Sequence, residues 1–129
     1  SGFVNLSLGS YSGTGSLSSN IDLCVYSDTG SYDVTISGQG GSGSAFAISS
    51  GSGTIPYSVY WNDASGTAGS VQVTTPGSPL IGRRNADPSH SDCNSGTNAN
   101  LEIRFSEVNL QSARAGSYFG TVTVLVEPN

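Results

Sequence analysis

Apolar and polar residues alternate with a period of two in short runs along most of this chain, and Gly, Ser, Pro or Asn closes nearly every run. Half-buried strands separated by turns have this pattern. Val4, Leu6 and Leu8 predict a first strand. Ile21, Leu23 and Val25 fall on one face and Cys24 and Tyr26 on the other. After the turn from Asp28 to Gly30, alternation resumes at Tyr32, Val34 and Ile36, so the pair reads as a hairpin. Phe46 and Ile48 extend the pattern. Ile55, Tyr57, Val59 and Trp61 then form an aromatic-rich run in which Pro56 marks a strand start or an edge. Val71 and Val73 predict a brief strand that stops at Thr75-Pro76-Gly77, and residues 78–96, lacking either period, predict a long loop. Leu101, Ile103 and Phe105 alternate again, Ser106 to Ala115 predicts one helical turn, and Tyr118, Val122, Val124 and Val126 close the chain. Strands spaced this regularly predict an all-β sandwich or barrel. The last strand carries Phe119 and Leu125 opposite its valines, so both faces are apolar and it reads as central, with a neighbour that has to come from elsewhere.

Length and composition narrow this picture. A chain of 129 residues supports one core, hence a single domain over residues 1–129. Gly and Ser are abundant, and Lys and Met are absent. The net charge is -5, and the cations are Arg83, Arg84, Arg104 and Arg114, which form no stripe that could neutralise a phosphate backbone. Nucleic acid is excluded as a partner on this ground. No run approaches the roughly 20 consecutive apolar residues of a membrane span, which argues against membrane insertion, and Ser1 follows no signal-peptide pattern, so an exported protein would be in its mature form. Cys24 and Cys93 lie far apart without the close pairing of a zinc or redox site. They read as a structural disulfide, the alternative being two buried thiols. Such a bond contributes about 4 kcal/mol in the chain-entropy model and needs an oxidising compartment.

Candidate chemistry is sparse. Gly38, Gly40 and Gly43 match GxGxxG, but a strand-like segment follows where a dinucleotide site needs a helix. His90 has Asp87, Ser89, Ser91 and Asp92 beside it, yet sequence neighbours in one loop do not adopt the geometry of a Ser-His-Asp triad. The acidic residues are scattered, without a calcium-loop spacing. The expectation is no catalytic residue, no metal and no cofactor. Trp61 with Tyr57 and Tyr60 reads as core rather than as a sugar platform, with Tyr60 on the opposite face and free of the core. Leu80, Ile81, Arg83 and Arg84 join two large apolar residues to two cations within the predicted loop. Either they make contact with something outside the domain, or Leu80 and Ile81 fold back over one end of the sandwich.

Five segments in order, IDLCVYSDTGSYDVTISG (21–38), IPYSVYWND (55–63), TPGSPLIG (75–82), CNSGTNANLEIRF (93–105) and AGSYFGTVTVLVEP (115–128), resemble the spore coat protein U family. These are Csu-type subunits of archaic chaperone-usher pili. The resemblance implies an incomplete immunoglobulin-like Greek-key sandwich, completed by a donor strand from a neighbouring subunit through β-strand addition. It implies a periplasmic chaperone, an outer-membrane usher and neighbouring pilus subunits as partners, and an extracellular fimbrium serving cell adhesion and biofilm formation. The implied donor-strand groove borders the last strand, with Val122, Val124 and Val126 as lining. Only residues 1–8 precede the first glycine-rich turn, shorter than a donor extension. Two explanations compete: an extension has been removed, or the domain sits at the fibre tip. A tip domain would meet a surface or host ligand through loops, with Leu80, Ile81, Arg83 and Arg84 as first candidates and the loop at Gly40 and Gly41 as second. The alternative function is a spore or cell-surface coat protein that packs laterally without an usher.

Overall fold

Residues 2–4, 15–39, 46–49, 53–112 and 121–128 are described by a computed structural model of the chain. Among them the strands are β1 (Gly2–Val4), β2 (Leu17–Leu23), β3 (Tyr32–Gln39), β4 (Ala47–Ser49), β5 (Thr54–Pro56), β6 (Ser58–Asn62), β7 (Val71–Val73), β8 (Leu80–Arg83), β9 (Ala99–Phe105) and β10 (Thr121–Pro128). One short helix, α1 (Glu107–Ser112), lies between β9 and β10, and the Ser106 hydroxyl caps it by accepting from the Asn109 N–H.

The protein is all-β. One sheet has the order β1-β10-β3-β8, a second β2-β9-β6-β7, and β4 and β5 form a small ribbon. All the named pairings are antiparallel, so each strand can bury one face and wet the other. The inner faces share one core: Tyr32, Val34, Ile36, Val122 and Val124 from the first sheet, and Val59, Trp61, Val73, Leu101, Ile103 and Phe105 from the second. Alternation in the sequence places every one of these side chains inward, which is why Trp61, Leu101, Tyr32 and Ile36 are wholly buried.

A polar seam crosses one end of this core. The Trp61 indole N–H donates to the Tyr32 hydroxyl at 3.1 Å, and the rings meet edge to face with centroids 6.3 Å apart. The Tyr32 hydroxyl in turn donates to Asp63 Oδ1 at 3.4 Å. Each sheet thus supplies one partner, and the indole N–H is not left orphaned in an apolar interior. Burial pushes the Tyr32 hydroxyl up to about 12, and burial does the same for Tyr57.

Two expectations are corrected here. The segments around residues 21–26 and 32–36 do not form a hairpin: β2 pairs with β9, whereas β3 pairs with β10 and β8. Alternation reports which side chains are buried and not which strand lies beside them. Between β2 and β3 the chain keeps burying Val25 and Ser27, and backbone bonds to Asp87 hold it on a course between the sheets. The stretch 78–96 is not all loop either, because β8 adds to β3 as an edge strand. Gly82, at φ 71°, and a register shift opposite Tyr32 and Val34 break the two-residue period that would have revealed it.

Candidate functional site

The site with most consequence is the edge of β10. On one flank β10 pairs with β3 along all eight of its residues, Thr121–Pro128. On the other flank β1 pairs only with Val122, Thr123 and Val124. From Leu125 to Pro128 no strand lies on that flank among the described residues. Backbone N–H and C=O groups of an unpaired strand edge seek partners, and pairing with another chain satisfies them.

Burial falls off at the edge strand β2 and toward the end of β10. The Tyr32–Trp61 contact aligns the level of Ile21, Leu101 and Trp61 with that of Tyr32 and Pro128. Along that level Trp61 and Leu101 are 0 % exposed, but the inward-facing Ile21 of β2 is 37 % exposed. In the facing sheet Val34 is wholly buried while its cross-strand partner Val126 is only half-buried, and Leu125 is 41 % exposed. Apolar Leu125 and Val126 therefore lie on the stretch of β10 beyond β1. Of the three valines expected to line a groove, Val122 and Val124 lie in the core beside β1, and Val126 stands at this open end.

Cys24 and Cys93 are bonded, with Cα atoms 5.8 Å apart and a sequence separation of 69. Around the bond the segment after β2 is tied to the segment before β9. The Asn98 side chain both accepts from Val25 N–H at 2.7 Å and donates to Val25 C=O at 3.0 Å, so one amide imitates a strand neighbour. Ser27 N–H donates to Asp87 C=O and Asp87 N–H to Val25 C=O. Nothing in the sequence pattern marked Asn98 for this role, because a bridging amide has no periodicity. Cys93, Asn94 and Ser95 all have positive φ, a left-handed turn held by the Asp92 carboxylate, which accepts from Asn94 N–H.

Asp87 and His90 do come together. Asp87 Oδ1 accepts from the Ser89 and His90 N–H groups, at 2.8 Å each, and His90 Nδ1 lies 3.4 Å from Oδ2. These backbone donors, with Ser89 foremost, hold the carboxyl below its ordinary range. The pair borders a shallow open hollow with Cys93 and Asn98. Among the described residues no hydroxyl hydrogen-bonds to the imidazole, so the parts of a nucleophilic triad are not assembled.

The Leu80–Arg84 segment divides between the two readings open to it. Leu80 is half-buried against the core, whereas Ile81 is 69 % exposed. Arg83 is 3.8 Å from Asp63, and the Arg84 N–H donates to the same carboxylate. Gly40 and Gly41, the second loop candidate, lie outside the described residues, as does Gly43; Gly38 is part of β3. Tyr57 and Trp61 are core, and Tyr60 faces outward.

Compared with models of known protein families and with curated proteins, the chain matches none.

Proposed function

We propose that this protein is a non-catalytic subunit of an extracellular fibre, joined to its neighbours by strand addition along β10. The observation that carries the reading is the apolar pair at the end of β10, exposed Leu125 and half-buried Val126, beyond the residues that β1 covers among those described. An incoming extended segment would gain main-chain hydrogen bonds from residues 125–128 and cover those apolar side chains with alternate residues of its own. The immunoglobulin-like Greek-key arrangement, the chaperone and usher partners and the pilus setting follow from the resemblance to the spore coat protein U family and belong to the same proposal. The Cys24–Cys93 bond supports passage through an oxidising compartment. Surface attachment is assigned to the exposed Ile81 on the edge strand β8.

The test is thermal unfolding with synthetic peptides taken from the N-termini of proteins encoded beside this one. A peptide at 100 times its Kd should stabilise the domain by about 2.7 kcal/mol, and the gain should vanish for the same peptide with Pro at alternate positions. A set of such peptides that leaves the melting temperature unchanged at millimolar concentration would remove the proposal.

A further inference from the structure

The outer face of the β2-β9-β6-β7 sheet has a chemistry that the assembly reading does not use. In cross-strand register, Asn20, Glu102, Tyr60 and Gln72 form one continuous row, a residue from each of the four strands. At a strand spacing of roughly 4.8 Å the row spans on the order of 14 Å, the reach of a short oligosaccharide. Asn20 and Gln72 are exposed at its two ends, while Glu102 is recessed at 7 % exposure in the middle. Arg104, next on that face of β9, donates to Glu102 Oε1 at 2.9 Å and lies 4.1 Å above the Tyr60 ring centre. Its guanidinium is thus held over the phenol ring, with its side chain 47 % exposed.

The flanking row gives the face an end wall. Asn62 donates to the carbonyls of Gly66 and Ala68, and Gly66 N–H donates to Asp22, so the connection after β6 folds across the sheet. Beneath it Asn100 is 1 % exposed, with its amide donating to Asn20 and Asp22 and its own Oδ1 unpartnered. Three polar side chains on what should be a wetted face are therefore buried: Asn62, Asn100 and Glu102. A sheet face that merely meets water has no need of this.

The ligand class follows by charge and by elimination. Two carboxylates, Asp22 and Glu102, oppose one guanidinium, which repels phosphates and acidic polymers. The row holds no aliphatic side chain for an apolar ligand, and among the described residues no three His, Cys, Asp or Glu converge for a metal. A hydroxyl both donates and accepts, so it can serve the carboxylate, the amides and the guanidinium alike. We propose that this face binds a neutral oligosaccharide. The site lies on the sheet that lacks β10, so it stands or falls independently of the fibre assembly.

The test uses the whole chain on an array of neutral hexose and N-acetylhexosamine oligomers beside uronate-containing and sialylated ones, followed by titration calorimetry with the best neutral binder. Neutral oligomers should bind and acidic ones should not. Gln72→Ala, at an exposed position, should weaken binding at least 5-fold with unchanged melting temperature, Asn20→Ala, which also removes an acceptor of the Asn100 amide, at least 5-fold, and Glu102→Gln at least 10-fold. Ile81→Ser, on the other sheet, should bind as the parent does. The proposal is overturned if no neutral oligomer binds, if acidic oligomers bind equally well, or if the two amide variants retain full affinity.

Discussion

Replacing both Cys24 and Cys93 by Ser tests how the domain holds its two halves together. The bond closes a loop of 69 residues, and in the chain-entropy model that loop corresponds to about 4 kcal/mol of stability at room temperature. A domain of 129 residues unfolds with an entropy of about 0.27 kcal/mol/K, taken from about 2.1 cal/mol/K per residue, so the melting temperature should fall by about 15 °C. This value assumes that the native turn survives without the bond. The structure supports that: Asp92 accepts from Asn94 N–H, Cys93 N–H donates to His90 C=O, and Asn98 independently clamps Val25. If the bond itself imposed the left-handed run at residues 93–95, relaxing it would return about 1 kcal/mol per residue, and most of the loss would disappear. Scanning calorimetry of the parent and the double variant, both shown to be reversible, separates the cases. A fall under about 5 °C would refute the argument that the turn is held by its own hydrogen bonds.

Four further outcomes follow from the same structure. Tyr32→Phe leaves the Trp61 N–H without its acceptor in a dry core and should cost about 1–3 kcal/mol by chemical denaturation, with coupling to Trp61→Phe of about 1 kcal/mol in a double-mutant cycle. Because burial raises Tyr32 and Tyr57 to about 12, their neutral forms stabilise the fold fully below pH 10, and that contribution, on the order of 2 kcal/mol each, is lost as pH rises from 10 through 12; Tyr32→Phe should flatten part of this alkaline loss in a pH series of melts. Asn98→Ala removes both bonds to Val25 and should lower stability by about 1–3 kcal/mol, more than Asn94→Gly, which keeps the positive φ and the N–H bond to Asp92. Leu80→Ser should destabilise by about 1–2 kcal/mol while Ile81→Ser stays within about 0.5 kcal/mol, and loss of surface attachment in Ile81→Ser alone would support the adhesive role assigned to it.

Much of the fold was legible because a half-buried strand must alternate. The runs at Tyr32–Ile36, Ile55–Trp61 and Leu101–Phe105 place the core directly, since every inward side chain there is one that alternation selects. Pairing was not legible. The hairpin expected between residues 21 and 36 fails although the turn at 27–30 forms, because the segment before that turn is held by Asp87 and the disulfide while β2 pairs with β9 and β3 with β10. The edge strand β8 was hidden by Gly82 and a register shift, and the bridging amide of Asn98 carries no period at all.

By itself the sequence determined that this is an all-β chain, which residues fill its core, that Trp61 belongs inside, and that Cys24 and Cys93 suit a bond. These are local properties, set by side-chain period and residue type. Only the tertiary structure decided that β10 lies between β1 and β3, and that Asn20, Glu102, Tyr60 and Gln72 share one row. Strand neighbours are far apart along the chain, and a period of two assigns each residue to a face without saying which strand completes it.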